Sequence, residues 1–279
     1  MDFHGFKVVL DPLYGRIDLD DFMLDLFLQP EMQRLREVRL SNINSLFLPG
    51  SSNISRFEHS LGTAYLADQT AKILALKQRD RLHLICAAGL HDVTITPFGH
   101  LMEEGFKYAG MDFDHELRLQ QIFCGNADVG SFDTQVFEGR AVGFRRILDQ
   151  RAYKGLNLDV QEILAIKRGV GALGNLINGS VDLDNIDNVC RMAYHMGIDF
   201  DKSLPTEIIK GFFICNEQLC FQPSQLSLLE SWLDLRERLY NVLMTNPVDF
   251  SAKTMLLEAI RIALTGTDST GPALGDSSW

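Results

Sequence analysis

The central helices of this protein are predicted by two stretches of its sequence: RFEHSLGTAYLADQTAKILAL at residues 56–76 and RLHLICAAGLHDV at residues 81–93. Both stretches are interpreted as helices, and the second is rich in apolar and small residues, as in AAGL. The first stretch therefore predicts a long helix that carries His59. The second predicts a helix that ends at the adjacent pair His91 and Asp92, because the sequence ITPFGH then breaks the pattern.

The rest of the chain extends this helical pattern. Further helices are predicted in DDFMLDLFLQ, PEMQRLREVRL, HELRLQQIF, VQEILAIKRGV, DNIDNVCRMAYHMGI, SQLSLLESWLDLRERLYNVLM and FSAKTMLLEAIRIAL. Short hairpins are predicted at KVVLDPLYGRIDL and GFFICNEQLCFQ, where β-prone runs flank turn residues. The predicted fold class is mainly α with short β-hairpins.

The predicted organisation is one core domain with a C-terminal extension. The core is predicted over residues 1–205, and residues 206–265 are predicted to add a hairpin and helices that pack on it. Residues 129–157 are predicted to be irregular. The tail at residues 266–279 is rich in Gly, Ser and Thr, which predicts disorder.

Composition restricts the partners of this 279-residue chain. Its net charge is −11 and its pI about 5.1, whereas a protein that neutralises nucleic-acid phosphates or binds an anionic membrane needs a basic surface. A signal peptide and an apolar run of membrane-spanning length are both missing from the sequence, which predicts a cytoplasmic protein. The five cysteines form no CxxC pair, and those in LICAAGL and GFFICNE are predicted to be buried, reduced thiols.

Four residues form a candidate metal site: His59, His91, Asp92 and Asp184. Adjacent His and Asp residues at a helix end can both turn toward one ion, and Asp184 lies at the predicted entry to a later helix. Two imidazoles and two carboxylates suit one divalent ion, such as Mn, Fe, Ni, Zn or Mg. Such an ion could activate water and screen phosphate charge, which phosphate-ester hydrolysis near neutral pH requires.

A wider pattern makes this interpretation specific. The stretch DPLYGRIDL…PEMQRLREVRLSNINSLFLPGSSNISRFEHSLG resembles the N-terminal part of the HD-domain deoxynucleoside triphosphate triphosphohydrolases. The resemblance resumes at AGLHDVTITPFGH, at DHE and at NGSVDLDNIDNVCRMAYHMGI, and it covers roughly residues 7–200. It implies an HD-domain helical fold, hydrolysis of a nucleotide substrate and a metal quartet at the four residues just named. It also makes a homo-oligomer plausible.

The resemblance implies roles for further residues. His115 and Glu116 match the family's HE pair beside the phosphates, and His100 matches the last His of its HDxGHxPFxH run. These three are predicted to transfer protons or bind phosphate oxygens. A solvated first helical turn is the alternative for His115 and Glu116. Arg56 could bind a phosphate through its planar guanidinium group, or pair structurally with Glu58 or another nearby acid.

The chain departs from the family pattern in two blocks. Thr94 and Ile95 stand where Gly-His follows the family's HD pair, so a histidine expected near the phosphates is missing. Asn185, Asn188 and Met192 replace the Lys, the Tyr and the second Asp of the DxDKxDYxxRD pattern. We expect Asn185 and Asn188 to bind the substrate in a pocket rebuilt relative to that of the family.

Three other functions remain open. A 5′-nucleotidase-like phosphatase needs fewer phosphate contacts, which fits the loss of the family's Lys. A non-catalytic nucleotide sensor fits the substituted positions, although buried His and Asp residues without a metal are costly to retain. Oxidation at a two-iron centre would need more ligands between the HD pair and Asp184, where only His100 and His115 are available. His83 and His195 are interpreted as structural histidines.

Overall fold

The computed structural model describes residues 7–41, 53–111, 113, 115–124, 155–245 and 247–265. Within these ranges the strands are β1 (Val8–Asp11), β2 (Gly15–Asp18), β3 (Phe212–Cys215) and β4 (Gln218–Phe221). The helices are α1 (Asp21–Phe27), α2 (Pro30–Arg34), α3 (Arg56–Ile73), α4 (Gln78–Gly89), α5 (His100–Tyr108), α6 (His115–Cys124), α7 (Val160–Lys167), α8 (Gly171–Asn175), α9 (Leu183–Met196), α10 (Leu204–Ile209), α11 (Leu226–Thr245) and α12 (Pro247–Thr265). The strands pair as two separate antiparallel hairpins, so the predicted fold class is confirmed.

The first hairpin, β1–β2, forms where the sequence predicted it. Asp11 closes its turn, because Oδ1 of this side chain accepts the backbone N–H groups of Leu13 and Tyr14 at 2.9 Å each. Gly15 has a φ of 72°, a left-handed conformation that favours glycine. Ile17 and Leu13 are buried, so the hairpin packs on the main hydrophobic core.

Helices α1 and α2 follow, and the second is shorter than predicted. Asp20 caps α1 through its side chain, and Pro30 occupies the first turn of α2 as predicted. Helix α2 ends at Arg34, and after one 3-10 turn the chain is extended from Val38. The cause is tertiary pairing, since the backbone oxygen of Val38 accepts the N–H group of Arg56 at 2.7 Å.

Helix α3 is the centre of the molecule. Ser55 caps it, with the Ser55 hydroxyl oxygen accepting the N–H group of Glu58 at 3.1 Å. Small residues such as Gly62, Ala64 and Ala67 let α4 and α9 approach this helix closely. Buried side chains of α1, α4, α9 and α11 complete the main hydrophobic core.

A second, smaller hydrophobic cluster lies between α5 and α12. Leu101, Met102 and Phe106 of α5 pack there against Ile260 of α12. Helix α5 was not predicted from the sequence, because this nine-residue helix buries its apolar face against a partner more than 150 residues away. Helices α8 and α10 were also missed, since five- and six-residue helices show too little periodicity.

The second hairpin, β3–β4, also forms as predicted. Its two-residue turn, Asn216 and Glu217, has φ values of 49° and 61°, which match the left-handed turns that two-residue hairpins prefer. Cys86 is buried as predicted, whereas Cys215 is exposed, so the prediction of a buried thiol was wrong there. The reason is that β3 buries only Phe212 against the core.

The predicted domain boundaries stay a prediction. Helix α11 packs on α9 and α10 and contributes the buried Trp232 to the main core. The tail at residues 266–279, and most of the segment predicted to be irregular, lie outside the described residues. Within the described ranges, none of the helices combines the length and apolarity needed to cross a bilayer.

Candidate metal centre

Three separate elements bring His59, His91 and Asp184 to one place. His59 lies near the start of α3, and His91 follows the residue that caps the end of α4, Leu90. Asp184 lies in the first turn of α9, which Asp182 caps through its side chain. The starts of α3 and α9 and the end of α4 thus meet at one location, as the sequence positions suggested.

The side chains of these three residues converge on one point. The Nε2 atoms of His59 and His91 are 3.1 Å apart, and Oδ1 of Asp184 lies 2.9 Å from the first and 3.6 Å from the second. All three donor atoms lie within 4.8 Å of one another. Both imidazoles are buried, with exposed fractions of 1% for His59 and 8% for His91.

These spacings fit the donor set of a single ion. Nitrogen and oxygen ligands lie about 2.0–2.2 Å from a divalent ion such as zinc, so neighbouring ligand atoms are separated by roughly 3.0–3.4 Å. The three measured separations fall in or near that interval. The residues present therefore fit a mixed N/O site for one divalent cation.

The electrostatics of the cluster also favour a cation. Burial opposes protonation of His59, but hydrogen bonds to Asp184 and Asp187 outweigh it and raise the pKa of His59 to about 9. Burial likewise opposes protonation of His91, yet the charges of Asp92 and Asp184 raise its pKa. The negative charge that favours protonation of these imidazoles would also favour a bound metal cation.

Asp92, the fourth predicted ligand, lies beside this cluster. Its Oδ2 atom is 3.4 Å from Nε2 of His91 and also accepts a hydrogen bond from Nη1 of Arg56. Burial disfavours the charged form of Asp92, but the charges of His91 and Arg56 hold its pKa well below the usual range. The structure thus pairs buried Arg56 with an acid, and that acid is Asp92 rather than Glu58.

The three predicted proton-transfer residues lie at the starts of α5 and α6. His100 begins α5, its side chain is 59% exposed, and its Nδ1 atom lies 3.3 Å from Oε2 of Glu103. His115 and Glu116 begin α6, but their side chains lie outside the described residues. The catalytic roles of all three therefore stay predictions.

The two predicted substrate-binding asparagines lie on α9. Nδ2 of Asn185 donates to Oδ1 of Asp182 at 3.1 Å, so its amide reinforces the cap of the helix. Asn188 is half-buried one turn further along the same helix. Substrate contacts from Asn185 and Asn188 stay predictions.

The departure from the family pattern after the HD pair has a structural counterpart. Ile95 is fully buried in the main core. Nη2 of Arg34 donates to the backbone oxygens of Val93 and Ile95 at 3.0 and 2.8 Å, which fixes this segment against α2. An apolar side chain here strengthens packing and supplies no phosphate contact.

His83 and His195 make the contacts expected of structural histidines. Nε2 of His83 accepts the backbone N–H group of Asp159 at 3.0 Å, which joins α4 to the start of α7. Nε2 of His195 lies 2.8 Å from Oε1 of Glu58, which joins α9 to α3.

A buried acid behind the cluster, Asp187, was not among the residues predicted from the sequence. Its Oδ2 atom lies 2.8 Å from Nδ1 of His59, on the side of the imidazole opposite Asp184. Asp187 also pairs with Arg191 one turn later on α9. The i, i+3 spacing from Asp184 and the i, i+4 spacing to Arg191 were the available signals, because such residues share one helix face.

Part of this chain matches a known protein family. The family model of the HD domain matches residues 56–163, a segment that contains His59, His91 and Asp92. The uncharacterized protein MJ1154 of Methanocaldococcus jannaschii is 28% identical over 91% of this chain and 49% of its own length. The deoxynucleoside triphosphate triphosphohydrolase SAMHD1 of Danio rerio is 27% identical over 91% of this chain and 44% of its own length.

A solved structure has a fold similar to that of this chain. A phosphohydrolase from Bacteroides thetaiotaomicron superposes with a TM-score of 0.74 at 19% identity, over 96% of this chain and 62% of that chain. The present chain spans about half the length of the two curated relatives just described. Residues 56–163 of this chain thus match the HD domain, and the chain is similar in sequence to deoxynucleoside triphosphate triphosphohydrolases and in fold to a phosphohydrolase.

Proposed function

We propose that this chain hydrolyses a phosphate ester or anhydride of a nucleotide, using one divalent ion bound by His59, His91 and Asp184, with Asp92 as the fourth ligand. The observation that carries the proposal is the convergence of two imidazole nitrogens and a carboxylate oxygen within 4.8 Å of one another. The similarity to SAMHD1 proteins supports a deoxynucleoside triphosphate as the substrate. The chain spans only part of those proteins, so the identity of the substrate is the more specific part of this proposal.

The side chains of the site have distinct roles in this proposal. A divalent ion bound here supplies an activated water and screens the negative charge of the phosphate. Arg56 holds Asp92 in place through their buried hydrogen bond. His115, with Glu116 and His100, delivers the proton that the leaving oxygen requires. Arg56, which contacts Asp92 beside the cluster, could also attract a phosphate oxygen.

A 5′-nucleotidase-like activity on nucleoside monophosphates is the second candidate. It is favoured by the contacts of Asn185, whose amide bonds to Asp182 at the position where the family carries a phosphate-binding Lys. A monophosphate needs fewer compensating charges than a triphosphate. Product analysis distinguishes the two, since one reaction releases inorganic phosphate and the other releases triphosphate.

The experiment is a panel of nucleoside mono- and triphosphates assayed with Mn, Mg, Ni, Fe and Zn, alongside measurement of bound metal. His59→Gln should lose both bound metal and turnover. His83→Gln is the matched control, because His83 is equally buried but contacts α7 instead of the cluster. A folded wild-type protein that holds metal but turns over no nucleotide would defeat the proposed catalysis and favour a nucleotide sensor.

Other features of the proposal come from the sequence and the relatives. We place the protein in the cytoplasm, and we expect it to act on a small nucleotide, with neither duplex nucleic acid nor a membrane as partner. A homo-oligomer is part of the proposal, and manganese is the first ion to test. Size measurement in solution and metal analysis of the purified protein test these two points directly.

A further inference from the structure

We infer that Asp187, held in place by Arg191 and Tyr14, is a positioning residue that fixes the tautomer and orientation of His59. This inference rests on the proposed metal centre, because it concerns how one ligand is presented to the ion. It assigns to the first hairpin, which carries Tyr14, a role beyond that of scaffold.

The Asp187 carboxylate is surrounded by hydrogen-bond donors. Its Oδ1 atom accepts the hydroxyl of Tyr14 at 2.7 Å and Nη2 of Arg191 at 2.9 Å. Its Oδ2 atom accepts Nε of Arg191 at 2.9 Å and lies 2.8 Å from Nδ1 of His59. Asp187 and Arg191 are both fully buried, so protein groups rather than water satisfy this carboxylate.

This arrangement determines which nitrogen of His59 carries a proton. A carboxylate that accepts from a guanidinium group and a phenol has its acceptor sites directed at donors, so it does not itself carry a proton. Nδ1 of His59 must therefore be the donor to Asp187. In the neutral imidazole this leaves the lone pair on Nε2, the atom that faces His91 and Asp184. Carboxylates commonly orient metal-binding histidines in this way.

Arg191 is in turn fixed from two further elements. Its Nη1 atom donates to Oδ2 of Asp11 at 2.9 Å and to Oε1 of Glu58 at 2.7 Å. Asp11 is the residue that closes the turn of the first hairpin. The hairpin thus reaches the metal centre along two connected paths, one through Asp11 and Arg191 and one through Tyr14.

Tyr14 offers the mildest test of this inference. Tyr14→Phe removes one hydroxyl but keeps the ring, which packs against Tyr65 with centroids 5.0 Å apart. Tyr65→Phe is the matched control, since it removes the same group from the neighbouring ring, and no contact of Tyr65 with Asp187 is found in the described residues. Asp187→Asn is the stronger variant, because its amide NH₂ would face one of the donors.

The measurements are zinc affinity, by competition with a chromophoric chelator, and ¹⁵N chemical shifts of His59 in the zinc-loaded protein, with thermal unfolding of each variant. Asp187→Asn should weaken zinc binding by about 10- to 100-fold. Tyr14→Phe should weaken it by about 3- to 10-fold at nearly unchanged stability. Tyr65→Phe should stay within about twofold of the wild type. The ¹⁵N shifts of the wild type should show Nδ1 protonated and Nε2 bound to zinc.

The outcomes separate this inference from the proposed function. A folded wild type that binds neither zinc nor manganese would overturn the metal centre and the positioning role together. A wild type that binds zinc, with Tyr14→Phe and Asp187→Asn binding equally well, would overturn the positioning role alone. If Asp187→Asn does not fold, Tyr14→Phe and the ¹⁵N shifts still test the positioning role of Asp187. Zinc bound through Nδ1 of His59 would contradict the inference.

Discussion

Replacing Gly62 with alanine should destabilise this protein by about 2–4 kcal/mol, although alanine in a helix interior normally stabilises by about 1 kcal/mol relative to glycine. Gly62 lies on α3 and faces α9. A Cβ atom added there would lie under 3.0 Å from Oδ1 and Cγ of Asp187 and from Nη2 of Arg191. Real Cβ atoms do not make contacts that short, so either the helices move apart or the buried ion pair breaks.

The magnitude follows from these two possibilities. Overpacking a rigid core costs about 1–3 kcal/mol, and the upper end applies because both contacted side chains are fully buried. Separating a buried ion pair costs about 3–5 kcal/mol. Subtracting the helix-propensity gain of about 1 kcal/mol leaves the predicted loss of 2–4 kcal/mol. Because Asp187 contacts His59, the variant should also bind metal more weakly.

The assay is urea unfolding of the metal-free protein, followed by circular dichroism, for Gly62→Ala and for a matched control. The control is Gly89→Ala, where an added Cβ would meet Ala64 and Phe27 at an ordinary contact distance of 3.4 Å. The control should change the free energy of unfolding by less than about 1 kcal/mol. A Gly62→Ala protein as stable as the wild type, with unchanged metal affinity, would refute the close packing of α3 on α9.

Three further predictions follow from other parts of the structure. The pKa of His59 is raised to about 9, so its imidazole is charged at neutral pH in the absence of metal. Metal binding must release that proton, so the metal affinity should rise with pH up to about pH 9. Calorimetry in buffers of different ionisation enthalpy should detect the released proton. Ile260→Ala should lower the free energy of unfolding in urea by about 2–4 kcal/mol, because Ile260 is 6% exposed. Ile262 is 55% exposed, so Ile262→Ala should lower it by under about 0.5 kcal/mol. Equal losses would contradict the packing of α12 on α5. A thiol reagent should label the exposed Cys215 in the native protein. Burial raises the pKa of the Cys86 thiol and should protect it from the reagent until the protein unfolds. Labelling of Cys86 before unfolding would argue against its position in the core.

Much of the fold could be predicted because its central elements have strong local signals. Helix α3 has a Ser cap and runs for 18 residues, and the second hairpin has β-prone runs around Asn216 and Glu217. Short elements lack such signals. Helix α5 is defined by its contact with Ile260, and the early end of α2 is defined by the backbone pairing of Val38 with Arg56. Those contacts join residues far apart in sequence, which periodicity cannot detect.

The candidate site was predictable in its residue types but not in its pairing. His59, His91 and Asp184 converge as the sequence suggested. Sequence could not show that Arg56 is directed at Asp92, since either Glu58 or another acid was available to it. The spacing of Asp187 from Asp184 and Arg191 indicated a shared helix face, but it could not show that the Asp187 carboxylate faces an imidazole rather than water.

The most direct test of the metal centre is a crystal structure of manganese-soaked protein with anomalous diffraction data. We predict one anomalous peak that lies about 2.0–2.2 Å from Nε2 of His59, Nε2 of His91 and a carboxylate oxygen of Asp184. The same peak should be missing from His59→Gln crystals. A fully soaked wild-type crystal with no anomalous peak at these three residues, or with its only peak elsewhere, would contradict the central claim.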